Sequence, residues 1–419
     1  FFFEHIMTPA IEERTSVGEH KILVEKPEGA DEGAPLWSGV ATLGATALGV
    51  GILSMPICMH YAGWMMGAVL VFLVGLLADL SLYVIVRCAQ MSGKSTFPEI
   101  AMKCYGQKGR GCVIFALLSL LMGCAVSALL VVSQLAKVIA SSVLDLNDEH
   151  FMLDPFVVSA LVVLLTFPLI LLRNISKLAP TSLGAVLSLI YVFSVLLYSW
   201  FMHTGPVEGV SAVAALSPSV LAVPGIATSA FICQFNILPI YDELRPSSKP
   251  RINTLIHLTM LGIATPVYIL FGWAGYMQLG SITEQCSNVL LCFDSPIIRA
   301  GTVAVAMANF LKYPLLVIPF RETFNALFTS DVVPYRIVIP EMILFSIMVH
   351  LIAYYLGDVG RACNLMGATS GTAIMLILPG LFYVKLHQDQ VPNSGWQQAV
   401  GWFMAVMGVV MTAAGVYVV

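Results

Sequence analysis

Apolar positions along this chain follow neither the alternation of a half-buried strand nor the single stripe of a surface helix. They run on in long blocks parted by short polar connections, at about 37–61, 64–87, 111–141, 154–173, 178–203, 217–243, 252–279, 296–328, 336–356, 358–384 and 396–418. Blocks of this length suit helices crossing ~30 Å of hydrocarbon at ~1.5 Å per residue. The pattern predicts an all-α polytopic membrane protein with 11 transmembrane helices. No connection is long enough to part domains, so 37–419 is expected to be one transmembrane unit. Residues 1–36 are different: positions 4–36 hold eight acids and three bases and read as a disordered acidic tail. No cleavable leader pattern is expected from the first residues, which carry no initiator Met.

Two blocks depart from ordinary helix. The first carries Gly49 and Gly51 near its middle, with Pro56 a turn later, a composition that favours unwound backbone. The sixth places Gln234 and Asn236 at bilayer depth and then Pro239. Either block alone is explained equally well by packing, since Gly and Pro are common in membrane helices. Their spacing of five blocks changes the balance. A five-helix unit repeated once inserts its second copy upside down, and a pseudo-two-fold axis then brings two such breaks together at mid-membrane. Broken backbone at that depth is tolerated only inside protein or beside a wet cavity.

Composition agrees with the pattern: 58% hydrophobic, 11% charged and a mean hydropathy of +0.88, where soluble domains carry about 25% charged residues. The net charge of −4 suggests no polyanionic partner, and no basic cluster suggests nucleic acid. With the tail in the cytosol, 16 of the 20 bases fall on its side, three (Lys137, Arg299 and Arg361) fall opposite, and Lys312 lies within a span. The amino end is therefore expected in the cytosol and the carboxyl end outside, in a plasma or a vacuolar/lysosomal membrane. Cys286 and Cys292 share a polar connection and form either a local disulfide, if that loop is extracytosolic, or two free thiols. The sequon at Asn174-Ile175-Ser176 falls on the cytosolic side.

Paired breaks imply a ligand. N–H groups freed after the first break form a positive dipole end, and carbonyls freed at the second form a negative one. Together they fit the carboxylate and ammonium of an α-amino acid. The candidate substrate-binding residues are Gly49, Val50 and Gly51 for amides, and Phe231, Cys233 and Gln234 for carbonyls. Thr46, Gln234 and Asn236 are candidates for side-chain contacts.

The run Ala230-Phe231-Ile232-Cys233-Gln234-Phe235-Asn236-Ile237-Leu238-Pro239-Ile240-Tyr241-Asp242-Glu243-Leu244-Arg245-Pro246-Ser247 resembles the amino acid/auxin permease family, in particular its sodium-coupled neutral amino acid transporter branch. Gly49-Val50-Gly51-Ile52-Leu53 and Tyr313-Pro314-Leu315-Leu316, followed by Pro319-Phe320-Arg321, are similar too. The resemblance implies a LeuT-type 5+5 inverted repeat with broken helices 1 and 6, an eleventh helix, and amino acid transport by alternating access. It also implies departures. Gln234 stands where the family has His, and Ala45 where the sodium-coupled branch has an Asn serving the cation. Lys312 falls at or near the site of that branch's hydroxyl for the same ion. An ammonium there would supply the charge sodium supplies, so transport is expected to be sodium-independent, either proton-coupled or facilitative.

The candidate ion-coupling residues are Lys312, Asn309 one turn before it, and Asp79. Ionisable groups at this depth are costly and point to function, and a buried lysine can carry a proton. Asp79 either pairs with a base or sits in water near an inner gate. Glu341 is expected at the interface, near Arg336. His257 is expected to be a packing residue. No HExxH, CxxC, GxSxG or Walker pattern is present, so neither an enzyme nor a nucleotide-driven pump is expected, nor any cofactor or metal. The expected partners are an amino acid, the bilayer and a coupling proton, with the chain a monomer. The rival reading is an amino acid sensor on the same fold, signalling through its tail. Small neutral substrates are favoured because no carboxylate is evident for a cationic side chain.

Overall fold

The computed structural model describes residues 33–144, 150–171, 179–203, 207–214, 217–286, 288–293, 295–328, 333–391 and 395–418. Residues 1–32 of the expected tail and the sequon lie outside them.

The first apolar block forms α1 (Leu36–Ala47), a 3-10 turn (Val50–Ser54) and α2 (Met55–Ala62). The two halves are bent by 52°. Pro56 opens α2, where a missing N–H costs no hydrogen bond. Then come α3 (Trp64–Ser92), α4 (Phe97–Leu144), α5 (Pro155–Ile170) and α6 (Ala179–Met202). The sixth block forms α7 (Ala222–Phe231) and α8 (Gln234–Glu243), parted by the non-helical Ile232 and Cys233. After them, α9 (Ile252–His257) runs through a π-helical stretch, Leu258–Ala264, into α10 (Thr265–Leu279). The remainder is α11 (Pro296–Asn325), α12 (Tyr335–Leu356), α13 (Val359–Met366), two π-helical stretches, α14 (Leu378–Gln390) and α15 (Gly395–Val418).

Among the described residues, eight helical runs are long and apolar enough to cross a bilayer, or nine if α1 and α2 form one bent span. The expected spans four and five are shorter apolar helices, Pro155–Ile170 and Val186–Met202. Sixteen residues rise about 24 Å, short of ~30 Å of hydrocarbon; residues 172–178, which join this pair, lie outside the described set.

One connection is not the loop that apolar run length suggested. Residues 97–105 are helical, and Gly106, at φ 64°, kinks that segment into the long span. Thr96 Oγ1 accepts from Glu99 N at 3.4 Å, in the register of a capping box. Phe97, Ile100, Ala101 and Cys104 are buried at helical spacing. The signal was a stripe rather than a run.

Small residues let the spans cross closely. A Cβ on Gly272 would lie 2.8 Å from Met59 Cε, and one on Gly275 would meet Pro56, so α10 lies directly on α2. At the far end of α2, Ala62 O accepts from Ala214 N at 2.9 Å and Ser211 O accepts from Trp64 N at 3.0 Å. Cys286 and Cys292 form a disulfide, with a Cα–Cα distance of 6.0 Å, in the connection between α10 and α11.

Candidate functional site

Helix α1 ends because its chain turns extended. Leu48 N still donates to Gly44 O at 2.8 Å, but Gly49 adopts φ −99° and ψ −164°. The 3-10 turn then restarts, so the first N–H groups after the break, on Val50 and Gly51, have no intrahelical acceptor. In the sixth block Ile232 (φ −70°, ψ 102°) and Cys233 (φ −139°, ψ 5°) interrupt the ladder. Carbonyls at the end of α7 are left without intrahelical donors in the same way.

The two breaks touch. A Cβ on Gly51 would lie 2.7 Å from Ala230 Cα and 2.8 Å from its Cβ, closer than packed carbons approach. Only glycine allows the turn after the first break to rest on the end of α7.

Beside this contact lies a cavity of about 800 Å³, within the ~300–1,000 Å³ of small-molecule sites. Gly49, Gly51, Ser229, Ala230 and Ile232, at the two breaks, line it. It runs along α1 (Ala41, Thr42, Ala45 and Thr46), α8 (Phe235 and Asn236) and the second half of α11 (Leu315 to Thr323). Ala41 and Thr42 in this wall are exposed. Cys124 and Ser127 on α4, with Cys363 and Met366 on α13, complete the wall.

The candidates from sequence divide into three groups. Thr46, Gly49, Gly51, Asn236, Asn309 and Lys312 line the cavity together. Asn236 Nδ2 donates to Thr46 Oγ1 at 3.1 Å, and Asn309 Nδ2 donates to Val305 O at 2.8 Å. Phe231, Cys233 and Gln234 are fully buried and lie outside the cavity wall. Gln234 Oε1 accepts from Cys233 N at 3.0 Å, so this side chain caps the break locally. Val50 opens the 3-10 turn. Asp79 stands apart from the cavity. Its two carboxylate oxygens each lie 2.9 Å from His257 Nδ1, at the foot of the π-helical stretch. Of the two roles open to Asp79, the geometry gives the pairing with a base, and His257 does more than pack.

Lys312 is half-buried, and its ammonium has no hydrogen-bond or ion-pair partner among the described residues. No acidic residue lines the cavity among the described residues. Glu341 Oε2 accepts from Asn325 Nδ2 at 3.0 Å, joining the end of α11 to α12.

Sequence reasoning missed Tyr268. This fully buried side chain on α10 donates from one hydroxyl toward Ala47 O and Ala230 O, at 2.8 Å for the latter. A tyrosine within an apolar block gave no signal beyond burial.

Residues 32–419 match the family described as transmembrane amino acid transporter protein. The chain belongs to this family. Among curated relatives, it is 25% identical to solute carrier family 38 member 10 of Mus musculus over 395 residues, covering 87% of this chain and 34% of that protein. It is 25% identical to amino acid transporter AVT6E of Arabidopsis thaliana, over 92% of this chain and 83% of the relative. Against sodium-coupled neutral amino acid symporter 2 of Danio rerio the identity is 23%, over 95% and 84%. The chain thus spans about a third of the family 38 member 10 relatives' length and most of the other two. A solved manganese transporter mutant of Eremococcus coleocola has the same fold, with a TM-score of 0.54 and 14% identity over 94% of this chain and 88% of that one. The transmembrane amino acid transporter family is one of membrane transporters, not of enzymes.

Proposed function

We propose that this family member is a secondary amino acid transporter that works by alternating access around its two helix breaks. In this reading the helices form 11 spans, two inverted sets of five and one more, with the amino end in the cytosol. The substrate is a small neutral amino acid. Its carboxylate meets the amides of Gly49 to Gly51, and its ammonium meets carbonyls at the end of α7. The observation that carries the reading is the cavity, because both breaks line it where they touch. A backbone-built site needs no charged side chain to hold a zwitterion, and a lining with no carboxylate among the described residues disfavours cationic substrates.

Transport is sodium-independent in this reading, coupled to protons or facilitative. Lys312 and Asn309 line the cavity together with α1, and the ammonium, unpartnered among the described residues, supplies the positive charge that a bound sodium would otherwise bring. Asp79, paired with His257, is a second proton-exchanging candidate behind α1.

Uptake of alanine into proteoliposomes, with pH and sodium gradients imposed separately, tests this. Saturable uptake without sodium is expected, with at least a tenfold loss in Lys312→Ala. Uptake that climbs steeply with sodium at constant pH would contradict it.

A further inference from the structure

Tyr268 occupies a position that the transport reading does not itself require. The C-terminal ends of α1 and α7 both point toward mid-membrane, and each carries the partial negative charge of unsatisfied carbonyls. Two such ends facing one another repel unless something positive lies between them. Here that is the hydroxyl hydrogen of Tyr268. It has one proton and two acceptors, Ala47 O at the last residue of α1 and Ala230 O one residue before the end of α7.

Three features hold the hydroxyl there. Helix α10 is locked against α2 at Gly272 and Gly275, one and two turns beyond Tyr268, so its backbone cannot drift from the first span. The phenol ring meets Phe231 edge-to-face, with centroids 4.8 Å apart at 81°, which fixes it to the second span. Its relative exposure is 0%, so water does not share the two carbonyls. A buried phenol lacking a partner would be costly; this one has two partners and chooses between them.

The geometry points to Tyr268 as a positioning residue of the transport site. It is a neutral clamp that sets the separation of the two helix breaks and so the fit of a zwitterion between them. The inference rests on the proposed function, because the separation matters only if a substrate bridges the breaks. A clamp that acts on the resting site stabilises the bound state and the state on the way across alike. Removing it therefore weakens binding more than turnover.

The test is Tyr268→Phe, which keeps the ring and its packing on Phe231 and removes only the hydroxyl. Saturable alanine uptake in proteoliposomes is measured alongside the melting temperature. The half-saturating concentration is expected to rise about tenfold, or about 1.4 kcal/mol, with the maximal rate within twofold of native. An unchanged half-saturating concentration overturns the clamp, as does a loss confined to the maximal rate. Should the variant not assemble, 3-fluorotyrosine at position 268 decides instead. It keeps the shape and makes the hydroxyl a stronger donor, so a lowered half-saturating concentration supports the clamp and an unchanged one overturns it. Native protein that takes up no amino acid would instead overturn the function reading.

Discussion

The side chain of Asn236 donates to the hydroxyl of Thr46 at 3.1 Å, tying the first turn of α8 to the last turn of α1. Thr46 in turn donates to Thr42 O at 2.9 Å, within its own helix. Two half-helices from opposite halves of the chain are thus joined by a polar link on the cavity wall. Ala34 and Leu244 add a backbone link between the same helices' other ends: Ala34 N donates to Glu243 O at 2.8 Å and Arg245 N to Ala34 O at 3.1 Å. Helices α1 and α8 are therefore expected to move as one body.

That expectation gives the first prediction. Thr46→Val and Asn236→Leu should each weaken uptake, and the double variant should be no worse than the worse single one. Residues sharing one hydrogen bond couple by about 0.5–3 kcal/mol. A double-mutant cycle on uptake rate measures this, and fully additive losses would show that the two helices act apart.

Gly51 should tolerate no side chain. A Cβ there meets the Ala230 backbone, which cannot yield as a flexible side chain would. Overpacking of this kind costs about 1–3 kcal/mol. Gly51→Val should abolish uptake while protein still reaches the membrane, as read by surface labelling. Retained uptake would mean that the breaks do not meet as described.

Asp79→Asn should lower the melting temperature. The change leaves His257 facing a weaker acceptor in a buried place, where a lost charge-assisted hydrogen bond costs about 1.5–3 kcal/mol. Melting curves of the two single variants and of Asp79→Asn with His257→Gln decide it. If the pair holds the helices together, the second change should add little to the first.

The disulfide gives a prediction about orientation as well as stability. Non-reducing peptide mapping should recover Cys286 joined to Cys292, while the cavity thiols Cys124 and Cys363 remain free. Disulfides persist in oxidising compartments, so its recovery would place the α10–α11 connection outside the cytosol. Short closed loops of this size stabilise by about 2–3 kcal/mol, and reductant should lower the melting temperature without stopping uptake.

Sequence alone carried the long apolar blocks, because a bilayer imposes its thickness on composition. It also carried the two interruptions: Gly49, Gly51 and the run about Cys233 break the pattern in blocks five apart. Side-chain direction was not legible. Gln234 and Asn236 are two residues apart and equally polar, yet Asn236 faces the cavity while Gln234 turns back to cap Cys233. Both lie in the first turn of α8, where positions two apart point about 200° from each other around the helix; what the sequence did not mark is that the helix restarts at Gln234. Pairings between distant spans were equally hidden, since nothing local joins Asp79 to His257 or Tyr268 to Ala47. The segment before Gly106 was missed for a different reason, as its apolar residues are spread on one helix face rather than concentrated in a run.

The central claim is that an amino acid lies between the two helix breaks. It is met most directly by an experimental density map of the protein held with saturating alanine. The account predicts density for one zwitterion with its carboxylate at the amides of Gly49 to Gly51 and its ammonium at the carbonyls of Ala230 to Ile232. Substrate density elsewhere, or first and sixth spans that run straight through the bilayer, would contradict it.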